Sequence, residues 1–238
     1  MFDDLKRKCC EANLEIPLLE LAIYTFGNVS CADRENGVFA IKPSGVDYKL
    51  LTWRDMVILD FDGNVVEGAL RPSSDSRTHA VLYRCFAAIG AVVHTHSPYA
   101  TAWAQAMRDI PIYGTTHADN SVGAIPCTDW MSDECLKLDY EEQMGFLIVD
   151  CMRRRHLSPE ENPMVLVGGH GPFAWGKDGE EAVRYARVFE EVAKMAQLTE
   201  AINANAASLK STIINKHYLR KHGKNSYYGQ PAGGVVSR

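Results

Sequence analysis

The sequence predicts a mixed α/β fold in which helices cover a sheet. Two observations predict it. Short β-branched runs are separated by turn signals such as Glu35-Asn36-Gly37 and Asp62-Gly63. Longer segments carry apolar residues at helical spacing. Hairpin-rich strands with flanking helices argue against a regular βαβ repeat.

The elements follow in order. Residues 3–14 read as a helix. Residues 20–31, 38–42, 55–60 and 64–67 read as strands. A helix over 75–87 has Ser73 and Ser74 as N-cap candidates. Strand 90–96, helix 98–107, short strands to about 126 and helix 139–155 come next. Strands 164–168 and 172–175 precede a long helix that begins after Asp178, with Glu181 three residues on as in a capping box. Ala182, Ala186, Phe189, Ala193 and Ala196 share one face of it. A last helix covers 211–221.

With 238 residues, no internal repeat and no long linker, the chain reads as one domain over 1–238. A net charge of −5 gives no electrostatic case for nucleic acid. The local basic run 216–222 reads as a solvated helix end or an anion site. No apolar run approaches the ~20 residues of a membrane helix, and Met1-Phe2-Asp3-Asp4 does not open a signal peptide. Seven cysteines without a CxxC pair suit reduced thiols in the cytoplasm.

The most informative stretch is Ala91-Val92-Val93-His94-Thr95-His96-Ser97. Residues i and i+2 of a strand share a face, so His94 and His96 project together. His170 closes a second apolar run, Val165-Leu166-Val167-Gly168-Gly169-His170. Three histidines with an open fourth position describe a catalytic rather than a structural zinc. Three polar histidines near strand ends are the bland alternative, and a second strand ending in Gly-His-Gly-Pro weighs against it.

Three turns are rich in Ser, Gly and Asn: Phe26-Gly27-Asn28-Val29-Ser30, Ile41-Lys42-Pro43-Ser44-Gly45 and Arg71-Pro72-Ser73-Ser74-Asp75. Each alone is a common turn, but together they suggest a phosphate cradle of amides and hydroxyls. Asp75 can cap a helix, ligate metal or act as a base, and capping is the ordinary reading. His79, one turn later, can simply pack or hydrogen-bond. In Thr115-Thr116-His117-Ala118-Asp119-Asn120, Asp119 is a proton-transfer candidate or an ordinary turn aspartate. Tyr227-Tyr228-Gly229-Gln230 places tyrosines in a tail, which suits docking on a neighbouring subunit.

These motifs, with Gly114-Thr115-Thr116, His170-Gly171-Pro172-Phe173-Ala174-Trp175-Gly176 and Lys216-His217-Tyr218-Leu219-Arg220-Lys221-His222-Gly223, occur in one order. In that order the chain resembles the class II aldolase superfamily, and within it the L-ribulose-5-phosphate 4-epimerases, from residue 2 to about 230. The resemblance implies a three-layer α/β/α fold around a mixed, mostly antiparallel sheet. It implies a homotetramer with active sites at subunit interfaces, against which the tail from about 223 packs. It further implies one Zn2+ per subunit on His94, His96 and His170, with Asp75 at or near it. Gly27, Asn28, Ser44, Gly45, Ser73 and Ser74 would bind substrate, chiefly its phosphate. Asp119 and Tyr228 would be the acid/base pair, Tyr228 reaching in from the adjacent subunit, and His217 would sit near the phosphate. Gly168-Gly169 stands where relatives carry a more polar pair, and Asn120-Ser121-Val122 where aromatic residues can stand; neither removes a ligand or an acid/base group.

The implied reaction interconverts L-ribulose 5-phosphate and D-xylulose 5-phosphate. The C4 hydrogen is not adjacent to the carbonyl and is not acidic, so a retro-aldol route is implied. The C3–C4 bond breaks, the aldehyde fragment turns, and the bond re-forms with C4 inverted. A class II aldolase that cleaves a ketose 1-phosphate is the nearest rival; a glutamate usually stands there in place of Asp75. A non-catalytic adducin-like domain is a rival that would not need three histidines.

Overall fold

The computed structural model describes residues 1–224 and residue 226. Helix α1 (Asp3–Leu18) leads into β1 (Asn28–Asp33), β2 (Val38–Ile41), β3 (Val57–Asp60) and β4 (Val65–Glu67). Then come α2 (Ser76–Cys85), β5 (Ala91–His94), α3 (Pro98–Gln105) and a short α4 (Thr115–Ala118). Helix α5 (Tyr140–Arg154), β6 (Met164–Val167), β7 (Gly171–Gly176), α6 (Gly179–Ile202) and α7 (Ser211–His222) complete the described elements.

The seven strands form one sheet in the order β4-β3-β2-β1-β5-β7-β6. Every ladder between them is antiparallel, and an isolated bridge between Cys127 and Leu166 is parallel. Side chains alternate across a strand, so the central strands serve two cores. Ala40, Ala91, Val93 and Leu166 pack with residues of α1, α3 and α6. Phe39, Ile41, Val92 and Val165 pack on the opposite face with residues of α2 and α5. This is the three-layer arrangement that the resemblance implied, and the α6 stripe Ala182, Ala186, Phe189, Ala193 and Ala196 is buried in the first core.

Three local expectations are corrected. Residues 20–27 are not strand: Glu20 (φ 58°), Tyr24 (φ 54°) and Gly27 (φ 76°) adopt left-handed backbone that breaks any ladder, and β1 starts at Asn28. The segment after α3 is not a series of strands; it holds a single antiparallel bridge, Ile110 to Ile125, around helix α4. Neither Ser73 nor Ser74 caps α2, because the cap position belongs to Asp75. At α6, by contrast, Asp178 accepts the Glu181 amide as expected.

One contact between layers fixes the strand that matters most. Asn13 of α1 donates Nδ2 to the Val29 carbonyl and accepts the Val29 amide at Oδ1, both at 2.8 Å. Its side chain completes the pairing of β1 beyond the end of β2, and holds Asn28 in register opposite His94.

Candidate metal centre and active site

The register Asn28↔His94 in the β1–β5 ladder, and His94↔Phe173 in the β5–β7 ladder, bring three chain segments to one sheet end. His94 is the last residue of β5, His96 follows two positions on, and His170 stands on the β6–β7 turn. The Nε2 atoms of His96 and His170 each lie 3.1 Å from Nε2 of His94. One ligand atom from each histidine falls within 4.8 Å of the others. His94 Nδ1 lies 3.0 Å from the Pro172 carbonyl, so Nδ1–H donates there and Nε2 is left as a lone pair facing the other rings.

The protonation chemistry suits a cation. Burial, and then the neighbouring imidazoles His94 and His96, push His170 down to about 4. Burial and His94 lower His96 as well, against the opposing pull of Asp75. Neutral imidazoles with converging lone pairs are the ligand form that zinc takes. The donor set therefore fits a divalent metal with an open position.

Asp75 lies beside this centre but outside the three converging rings. It occupies the N-cap position of α2, yet its carboxylate caps no amide of that helix. Instead Oδ2 accepts a 2.6 Å hydrogen bond from Asn28 Nδ2, and the same amide also donates to Ser73 Oγ at 3.1 Å. Burial works to raise the Asp75 pKa, but His94, His79, the Asn28 amide and His170 outweigh it, and the net shift is downward. His79 is fully buried and its pKa is pushed to about 3 by that burial. It therefore stays neutral, with Nδ1 2.7 Å from the Ser30 hydroxyl.

These groups line a cleft of about 530 Å³, and the three predicted turns meet in it. Gly27, Asn28, Ser44, Gly45, Ser73, Ser74, Asp75, His94, His96 and His170 all face it. Gly27 is required by geometry: at φ +76° a Cβ would stand 3.1 Å from the His94 carbonyl.

Thr25, Tyr140, Glu141 and Met144 also line the cleft without having been marked in the sequence, and Lys42, quoted there only as part of its turn, was given no role of its own. Lys42 is 1 % exposed. Its ammonium donates to the Thr25 carbonyl at 3.2 Å and lies 4.7 Å from the Tyr48 ring centroid. Burial lowers its pKa. A lysine that follows an apolar strand inside a Ser/Gly turn was the available signal. Tyr140 starts α5, and its ring centroid lies 6.5 Å from that of His170; nothing local in the sequence marks it.

Asp119 is held elsewhere. It ends α4 and is not part of the cleft lining. Its carboxylate accepts from Arg220 Nε at 3.0 Å and Nη2 at 2.6 Å, and lies 3.0 Å from His217 Nδ1. Lys221 stands 3.7 Å away, and His222 Nε2 is 3.0 Å from the Asp119 carbonyl. Within the basic run His217, Arg220 and Lys221 thus converge on one carboxylate, while no residue of α7 is buried. Burial opposes ionisation of Asp119, but Arg220 and His217 outweigh it and lower its pKa. Tyr228 lies outside the described residues. Among those described, no helix is long and apolar enough to cross a membrane.

Residues 7–197 match the family described as Class II Aldolase and Adducin N-terminal domain. Among solved structures, the chain is similar to an L-fuculose 1-phosphate aldolase at 25 % identity and TM-score 0.75, covering 90 % of this chain and 94 % of that one. It is similar to YgbL from Klebsiella pneumoniae at 21 % identity and TM-score 0.70, covering 90 % and 97 %. It is also similar to the l-fuculose-1-phosphate aldolase from Thermus thermophilus at 23 % identity and TM-score 0.65, covering 86 % and 98 %.

Proposed function

This chain belongs to the class II aldolase family, and on that premise we propose that it is a zinc-dependent L-ribulose-5-phosphate 4-epimerase. The observation that carries a sugar-phosphate reaction is the meeting of three converging histidines with three Ser/Gly/Asn turns and a buried lysine in one cleft. A divalent ion on His94, His96 and His170 supplies Lewis-acid stabilisation of negative charge developing on substrate oxygens.

The residues of the chain divide the remaining work. Gly27, Asn28, Ser44, Gly45, Ser73 and Ser74 cradle the phosphate, and the Lys42 ammonium adds a charge that no carboxylate in its hydrogen-bond set cancels. Anchoring the phosphate keeps the aldehyde fragment in place while it turns. Asp75, ionised and oriented by Asn28, sits at the metal end of the cleft. Asp119 and Tyr228 serve as the proton-transfer pair on opposite faces of the sugar, and they act in the cleft of a neighbouring subunit of a homotetramer. The position of Asp119 outside its own cleft supports that division between subunits.

A second reading is a class II aldolase acting on a ketose 1-phosphate, favoured by the likeness to the L-fuculose 1-phosphate aldolase at 25 % identity. The shorter side chain of Asp75 favours the epimerase. NMR of zinc-loaded protein with L-ribulose 5-phosphate separates the two. D-xylulose 5-phosphate forming without accumulated fragments supports the epimerase. Release of two- and three-carbon fragments moves the chain to the aldolases.

A further inference from the structure

We propose that Trp130 and Thr128 are positioning residues that set His170 for the metal, an inference that rests on the metal reading of the three histidines. His170 is carried by the tight β6–β7 turn, closed by its own amide donating to the Val167 carbonyl at 3.0 Å. His94 is steered through its ring by the Pro172 carbonyl. For His170 the described bonds that fix its place are instead made by the turn beneath it.

That turn sits in a socket. The Gly168 amide donates to Thr128 Oγ1 at 2.9 Å, and the Gly169 amide donates to the Ala104 carbonyl at 2.9 Å. A Cβ on Gly168 would meet Met107 Cε and Sδ at 2.6 Å and the Thr128 carbonyl at 2.9 Å. A Cβ on Gly169, at φ +70°, would collide with Trp130 Cζ3 and stand 2.9 Å from Cη2. The indole therefore occupies the space that any side chain before His170 would need. The Gly168-Gly169 pair is explained by this approach.

Trp130 is 66 % exposed, so it belongs to neither core. Its loop is tied down by an Asp129–Arg154 pair at 2.8 Å and by Met131, which packs against the second core. Thr128, by contrast, is 2 % exposed and its amide donates to the Leu166 carbonyl of β6. Two successive glycines are the costliest residues to hold in one conformation. Removing the indole would leave the solvent side of their turn open and His170 free to leave the ligand geometry. Groups that orient a ligand typically account for 10–100-fold in metal affinity.

The test uses the full chain stripped of metal by chelation. Zn2+ is titrated against a chromophoric chelator, and Co2+ is added separately to read its ligand-field absorption. We expect Trp130→Ala to weaken Zn2+ binding by about 10–100-fold and to alter the Co2+ band, with the melting temperature of the metal-free protein unchanged. Trp130→Phe should restore most of the affinity. Thr128→Val should weaken binding in the same way, and Thr128→Ser should not, which keeps the test open if one variant fails to fold. Wild-type affinity and an unchanged Co2+ spectrum in Trp130→Ala and Thr128→Val would overturn the inference alone. A wild-type chain that binds neither ion would overturn the metal reading as well.

Discussion

Asp75 Oδ2 lies 2.6 Å from Asn28 Nδ2, although 47 residues separate them in sequence. A carboxylate at a helix N-cap is thereby turned away from its own helix and toward the end of β1, beside the histidines. A hydrogen bond to a charged group contributes about 1.5–3 kcal/mol. This bond favours the ionised form of Asp75. Asn28→Ala is expected to raise the Asp75 pKa, so the acid limb of the kcat/KM profile should move to higher pH. A limb that stays in place would remove Asp75 from the ionisations that control the reaction.

His96→Ala removes one of three converging ligands, and metal and activity should be lost together. Elemental analysis after purification, beside the activity assay, gives the answer. An active variant without metal would defeat the zinc reading.

The proposed division of the site between subunits predicts complementation. His96→Ala and Tyr228→Phe are each expected to be nearly inactive, the second with its metal retained. Co-refolded, they should regain activity at about a quarter of the sites, since random assembly in a ring pairs an intact cleft with an intact donor that often. Asp119→Asn should behave like Tyr228→Phe in the same mixture. If mixing restores nothing while both variants assemble with wild-type partners, both groups act within one chain.

His117 is buried, and that burial pushes its pKa to about 4 from an ordinary 6.5. The unfolded chain takes up the proton near pH 6.5, while the folded chain resists it down to about 4. The contribution to stability is whole above the unfolded value and is lost as pH falls through this window. At 1.36 kcal/mol per unit, the loss is on the order of 3 kcal/mol. Urea midpoints of metal-free protein at about pH 7 and about pH 5 should show the decline, and His117→Asn should flatten part of it. An equal decline in the variant would mean that other groups account for it.

Glu190 of α6 accepts the amides of Tyr99 and Ala100, each at 2.9 Å. Those are orphan donors in the first turn of α3, which starts immediately after His96-Ser97. Glu190→Ala should cost about 1–3 kcal/mol, since it leaves buried donors unpaired, and thermal melting would show it. A melting temperature equal to the wild type would mean that water replaces the carboxylate at no cost.

Much of this was legible in the chain because it is local. The uninterrupted apolar run Ala91-Val92-Val93 suits a strand buried on both faces, and the two-residue spacing of His94 and His96 places both rings on one side. Glycine, serine and asparagine in the turns at 27–28, 44–45 and 73–74 mark backbone able to approach an anion. Other features read wrongly because local pattern was outweighed. The apolar segment 21–26 looks like strand, but Tyr24 and Gly27 adopt left-handed backbone, and Ile23 and Tyr24 are left exposed. Ser-Ser-Asp looks like a cap, but the partner of Asp75 comes from β1.

By itself, the sequence determined the alternating strands, the amphipathic helices and the kinds of side chain available for chemistry, since these depend on neighbours a few positions apart. Only the tertiary structure decided that β1 pairs with β5 so that Asn28 stands opposite His94, that Lys42 is buried in the wall of the cleft, and that α7 closes on Asp119. Those outcomes depend on strand register and helix docking, which are set by burying both faces of the sheet at once; no local window of residues contains that information.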